Sequence, residues 1–240
     1  MNKEINEGKK DNYYYSLKFI IIGNQSVGKT NIINRFRKNE FLNNYAITVC
    51  MDFSFCNVKI NDKIFKLQLW DTAGSERFLS ITKGYYSNST CALIVYDITD
   101  KKSFDSVRKW IQECKNYTNN NINLVLVGNK QDLNEKRKVS EEEGKTLAKE
   151  FGMAFFESSA LTGYNIDEIF YDSVKIINEG IEKNVYNFED ASNGIKRGII
   201  HDIDNMGIDK VMEGQPISGN ILLNKEKHSN NHENNKKCKC

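Results

Sequence analysis

Four short strings hold residue types suited to phosphate, metal and purine chemistry. GNQSVGKT, Gly23 to Thr30, fits the pattern G-x-x-x-x-G-K-[S/T]. Glycines let a backbone fold round a phosphate so that successive N–H groups point inward, and a helix starting there adds partial positive charge. Lys29 then reaches the β- and γ-phosphates, and the Thr30 hydroxyl is placed to ligate Mg²⁺. In LWDTAG, Leu69 to Gly74, Asp71 stands where a carboxylate holds Mg²⁺ through water, and Gly74 where a backbone N–H meets a γ-phosphate. NKQD, Asn129 to Asp132, offers guanine a carboxylate. Asp132 accepts from the ring N–H and the exocyclic amine, a donor pair that adenine lacks, and a mispaired buried carboxylate is costly. Asn129 ties this loop to the first, and the Lys130 stem covers one face of the base. ESSA, Glu157 to Ala160, presents the Ala160 N–H to the guanine O6.

Each string follows an apolar run that reads as a strand. These runs are LKFIIIG, KIFKLQLWD, INLVLVGNK and MAFFESSA, with CALIVYDIT a further one. Helical patterns separate them: Asn31 to Lys38, SFDSVRKWIQECKNY, SEEEGKTLAKEF and IDEIFYDSVKIINEGIEK. CMDFSFCNVKI and KIFKLQLWD meet at Asn61-Asp62, which reads as a tight turn of a hairpin. Strands alternating with helices predict an α/β fold: a mixed, mostly parallel six-stranded sheet with helices on both faces. All four strings then stand at strand C-terminal ends, the edge of a parallel sheet where ligands collect.

Composition narrows the class. The chain has 240 residues, 39% hydrophobic and 28% charged, enough for one domain with a core and some tail. Lys and Arg number 34 against 32 Asp and Glu, a net charge of +2, which supplies no basic field for nucleic acid. Six cysteines match neither a disulfide framework nor a zinc pattern. No apolar run reaches the roughly 18 residues of a membrane span. The polar start is no secretory signal, and Asn2 argues against N-myristoylation. The reading divides the chain into a disordered extension (1–15), a folded domain (16–183) and a flexible tail (184–240).

From about Leu17 to Lys183 the chain resembles the Ras-like small GTPases, and among them the Rab proteins. GNQSVGKT, YAITVCMDF, KLQLWDTAGSERF, YYSNS, YDIT, VGNKQD and ESSAL carry the resemblance. The helix and tail string IEKNVYNFEDASNGIK is similar to the branch holding Rab two, Rab four and Rab fourteen, while GNQSVGKT and LQLWDTAG look equally like Rab six. The resemblance implies a P-loop small G domain that binds GTP or GDP with Mg²⁺ and switches between two states. It implies that Gln25, Ser26, Val27, Gly28, Lys29, Thr30 and Asn31 bind the nucleotide, with Phe41 against it and Tyr45 closing over the phosphates. Ser159, Ala160 and Leu161 meet the base, and Thr30, Thr48 and Asp71 serve the metal. Thr48 and Gly74 also meet the γ-phosphate, and losing it releases both of their loops. Phe53, Trp70 and Tyr85 form the face read by effectors. Implied partners are a guanine nucleotide exchange factor, a GTPase-activating protein, a GDP dissociation inhibitor or escort protein, and effectors. The implied place is the cytoplasmic face of a secretory, Golgi or endosomal membrane, with cycling through the cytosol.

Four positions depart from that family. Ser75 stands where a Gln orients the attacking water, and its hydroxyl is too short to do so. Gln25 occupies a phosphate-loop position where many relatives have a small residue; Cys50 replaces a Gly; Leu161 replaces a Lys. Ser75 and Gln25 predict slow intrinsic hydrolysis, with Lys29, Thr48 and Gly74 left as the catalytic set beside Ser75. A GTP-loaded, effector-binding scaffold with negligible turnover is the alternative; NKQD argues against a P-loop kinase or ATPase. The chain ends in KKCKC, so Cys238 and Cys240 read as a prenylation pair, and nearby lysines favour an anionic leaflet.

Overall fold

The computed structural model describes the backbone of residues 3–4, and residues 12–43, 52–72, 84–119 and 121–198 in full. Tyr45, Thr48, Cys50, Gly74, Ser75, Cys238 and Cys240 lie outside them.

Strand β2 (Tyr15–Ile22) explains the layering. Leu17, Phe19 and Ile21 enter one buried cluster, while Ile20 and Ile22 enter another. A strand that alternates but finds apolar partners on both faces belongs in the middle of a three-layer sandwich. Its neighbours are β4 (Lys63–Asp71) and β5 (Cys91–Asp97), both parallel to it. β6 (Asn123–Asn129) and β7 (Ala154–Glu157) continue the parallel sheet outward. β3 (Asp52–Ile60) pairs antiparallel with β4, joined through Asn61 at φ 53°, a conformation Asn tolerates. These six strands are those read from the sequence. Two short ones join them, β1 (Lys3–Glu4) beside β3 and β8 (Ile195–Arg197) beside β2.

Helices cover both faces. α1 (Lys29–Lys38) and α5 (Ile166–Glu182) share the first cluster, where Phe36 stacks on Phe170 at 3.9 Å. α3 (Val107–Tyr117) and α4 (Glu141–Phe151) close the second, following the short α2 (Lys101–Asp105). The helical pattern of SFDSVRKWIQECKNY divides into α2 and α3 at Ser106, which keeps right-handed helical φ and ψ and carries i to i−4 bonds across the junction, from its own N–H to the Lys102 carbonyl and from the Trp110 N–H to its carbonyl. α4 begins on a full capping box between Ser140 and Glu143. Among the described residues no helix is long and apolar enough to cross a membrane.

The segment after α5 differs from the flexible tail expected from residue 184. Residues 184–198 fold back onto the domain, with Tyr186 and Ile195 buried in the first cluster. Phe188 stacks on Tyr15, Arg197 lies over Phe188, and β8 pairs with the start of β2. Isolated apolar residues among Asn and Gly give no periodicity, so the sequence does not announce this docking.

Candidate functional site: a phosphate loop, a carboxylate and a base pocket

The four strings converge at the C-terminal ends of β2, β4, β6 and β7. Gly23 to Gly28 link β2 to α1. Both glycines are required: a Cβ on Gly23 would stand 2.2 Å from the Val95 carbonyl oxygen, and one on Gly28 2.3 Å from the Asn129 amide nitrogen. Their φ values, 141° and 101°, are also ones that L side chains rarely adopt. Gly28 brings no side-chain cap to α1, and its first turn holds no acidic residue. The helix N-terminus is thus left to an anion rather than to a side chain. Gln25 and Ser26 are exposed on the loop's outer turn, and Val27 is buried beneath it.

Lys29 is almost fully buried, and its ammonium donates to the carbonyls of Gly23 (3.0 Å) and Asn24 (2.9 Å). Burial pushes it down to about 8, against the pull of Asp71. Thr30 donates to Asp71 Oδ2 at 2.5 Å. Asp71 is itself buried, which raises its carboxyl above the ordinary range, while Thr30 and Lys29 work the other way. Its second oxygen, Oδ1, is buried with no hydrogen-bond partner. Such an orphaned carboxylate oxygen is costly unless a cation or donor meets it.

Asn129 is the hinge between the two halves of the site. Its amide donates to the Val27 carbonyl at 2.8 Å, and its oxygen accepts from the Ala160 N–H at 3.2 Å and the Ser158 hydroxyl at 3.4 Å. Asp132 accepts from the Ser159 hydroxyl at 2.5 Å. Lys130 takes φ 69°, and its ammonium pairs with Asp97 at 2.6 Å, a partner no local pattern indicated. Arg35 is a second such residue: it donates from α1 to the carbonyls of Ala160 (2.8 Å) and Leu161 (2.7 Å). Asn31 brackets Leu42 through both its amide groups, and Phe41 lies partly buried against the first cluster.

Phe53, Trp70 and Tyr85 also come together. Phe53 meets Trp70 at 4.8 Å, Trp70 meets Tyr85 at 5.9 Å, and the exposed Phe55 extends the row from Phe53 at 4.5 Å.

The Ras family model matches residues 18–179. Among known proteins, the chain is 43% identical over 180 residues to the Ras-related protein RABA6a of Arabidopsis thaliana, covering 75% of this chain and 77% of that one. It is 42% identical over 179 residues to the Ras-related protein Rab-2B of Dictyostelium discoideum, covering 75% and 89%. The chain belongs to the Rab group of Ras-family small GTPases. As a Rab it binds GTP and GDP, hydrolyses GTP and acts as a switch in vesicle traffic. The phosphate loop, the NKQD strand end and the ESSA turn are the parts of this Rab's domain that the sequence motifs pointed to, now assembled at one sheet edge.

Proposed function

We propose that this Rab holds its nucleotide with Mg²⁺ at the described edge and that its own hydrolysis is slow, so that partners set its state. The observation that carries the metal is the buried, unpartnered Oδ1 of Asp71 beside the Thr30 hydroxyl. Thr30, Thr48 and Asp71 hold it. Bound there, Mg²⁺ neutralises charge on the phosphates. Lys29 binds the β- and γ-phosphates; the N–H groups of the loop and of Thr48 and Gly74 add donors for the γ-phosphate. Asp132 selects guanine, steadied by Ser159, and the Ala160 N–H meets its O6. Phe41 and Tyr45 flank the nucleotide. Phe53, Trp70 and Tyr85 face effectors; an exchange factor, an activating protein and a GDP dissociation inhibitor or escort complete the cycle. Cys238 and Cys240 carry lipid and return the chain to a secretory, Golgi or endosomal membrane.

Slow turnover follows from Ser75. Positioning is most of what phosphoryl transfer asks of a protein, and a serine hydroxyl stops short of the water a Gln amide would hold. Single-turnover phosphate release from preloaded protein tests this. Ser75→Gln is expected to raise the intrinsic rate roughly tenfold, about 1.4 kcal/mol off the barrier. A parent rate equal to that of Ser75→Gln would show that another group orients the water. Ser75 also favours the scaffold reading. An undetectable parent rate that no activating protein raises would select it.

A further inference from the structure

Lys18 is a lysine in the middle of β2, at 8% exposure, with no carboxylate in ion-pair range among the described residues. It shares a sheet face with Trp70, since Ile20 pairs with Trp70 and Lys18 with Gln68. Its ammonium stands 4.3 Å from the Trp70 ring centroid and donates to the Ser87 carbonyl at 2.7 Å. Its main chain grips the same loop: the Lys18 N–H donates to the Thr90 hydroxyl at 3.3 Å, and the Thr90 N–H to the Lys18 carbonyl at 2.9 Å. That loop leads directly from helical residues 84–86, which carry Tyr85. One residue therefore touches Trp70 and anchors the segment bearing Tyr85.

The docked tail braces the same loop from another side. Gly194, at φ 70°, packs so closely that a Cβ there would stand 2.2 Å from the Asn88 carbonyl oxygen and 2.9 Å from the Thr90 nitrogen. β8 places Lys196 opposite Ser16, one pleat from Lys18 on the same face. Burial, then the Lys196 charge, lowers the Lys18 ammonium to about 8. A cation is kept under an indole here at a desolvation cost, which geometry alone does not require of a strand residue.

We infer that Lys18 is a positioning residue for the aromatic face, gripping Trp70 and the Tyr85 segment together, and that the tail turn at Gly194 braces the loop it grips. Its functional meaning rests on the reading of Phe53, Trp70 and Tyr85 as the effector face; the contacts themselves do not.

The test uses the GDP-loaded full chain with 5-fluorotryptophan at both of its tryptophans, the Trp70 resonance being assigned by its loss in Trp70→Phe. The readout is the H₂O/D₂O isotope shift of that resonance, which reports solvent exposure and needs no partner protein. Lys18→Met is expected to raise it roughly twofold, the scale on which losing a cation–π contact moves a side-chain equilibrium. Lys18→Arg, which keeps the cation, recovers most of the parent value. Gly194→Val leaves the Lys18 charge in place and is expected to move Trp70 in the same direction, which a mere field effect cannot do. GDP retention stays within about twofold in all three variants, since Lys18 and Gly194 make their contacts with Trp70 and residues 87–90 rather than with the phosphate loop or NKQD. An unchanged Trp70 shift in Lys18→Met, or equal shifts in Met and Arg, overturns the role of Lys18. An unchanged shift in Gly194→Val overturns the brace, and decides alone should Lys18→Met fail to fold. Loss of effector binding plays no part in these outcomes, so failure of the effector-face reading would leave them standing.

Discussion

Asn129→Ala isolates the tie between the phosphate loop and the base pocket. Asn129 is 1% exposed and joins the Val27 carbonyl to the Ala160 N–H and the Ser158 hydroxyl. Alanine leaves the Val27 carbonyl and the Ala160 N–H without that partner, each worth about 1–3 kcal/mol when buried and unpaired. The space vacated admits a water that recovers part of this, so the lower end applies: about 2–3 kcal/mol in total. No clash is added, because the smaller side chain withdraws from Gly28, whose missing Cβ would have met the Asn129 amide. The substitution is thus a clean deletion of hydrogen bonds. On the proposed placement of the nucleotide both loops it frees touch it, so the loss falls on binding, roughly 30- to 150-fold in affinity. Stopped-flow release of a fluorescent GDP analogue measures it, with a thermal melt of the loaded protein as a control on folding. Asn129→Asp, which sets a carboxylate oxygen against the Val27 carbonyl, is expected to be at least as weak. Release within threefold of the parent would refute the reasoning, since the two halves of the site would then be held together by something else.

Three further outcomes follow from the same geometry. Asp132→Asn converts one acceptor to a donor and is expected to shift preference from guanine to xanthine nucleotides by more than about tenfold; full GTP affinity in the mutant would misplace the base. Thr30→Asn removes the hydroxyl that donates to Asp71 and is expected to weaken GTP more than GDP, by about tenfold in their ratio, in a competition assay with excess Mg²⁺. Equal weakening would take Thr30 out of the metal shell. Cys238→Ser with Cys240→Ser is expected to leave most of the chain in the soluble fraction with GDP binding intact, because two chains or one chain with basic residues are what hold stably to a membrane; unchanged membrane fractionation would count against lipid at that end.

The sandwich was legible in the sequence because its signal is local. β2 and β5 read as near-continuous apolar runs, the mark of strands buried on both faces, and their alternate residues do enter opposite clusters. α4 was legible through the helical pattern of SEEEGKTLAKEF, and the structure starts it on a capping box between Ser140 and Glu143. The docking of residues 184–198 was not. Tyr186 and Ile195 are buried one by one against Gly180 and the start of β2, with Asn, Asp and Gly between them. Such contacts have no period to read. The site divides in the same way. Asn129, Asp132 and Ser159 stand in short strings whose order along the chain betrays them. Arg35 and Asp97 do not, because each acts on a residue far away in sequence and looks, locally, like a solvated charge or a strand residue.

Backbone conformation at the site adds a reason why the strings look as they do. Gly23, Ser26, Gly28 and Lys130 all take positive φ, and all four lie in the two loops proposed to meet the nucleotide. For Ser26 and Lys130 that costs on the order of 1–2 kcal/mol each, since only glycine enters this region freely. At Lys130 the surroundings hold the strain. Its flanks are fixed by Asn129 on one side and by the Gln131 N–H, which donates to the Ser158 carbonyl, on the other, while its ammonium is held by Asp97. Glycine at position 130 would relieve the backbone and yet lose the ion pair with Asp97 and the stem proposed to cover the base. On the proposed role of the Lys130 stem over the base, the strained backbone is kept for what the side chain does there, the ion pair with Asp97 included. Lys29 and Asp71 are likewise two charges held out of water beside the phosphate loop, a cost that the proposed phosphate and Mg²⁺ would offset.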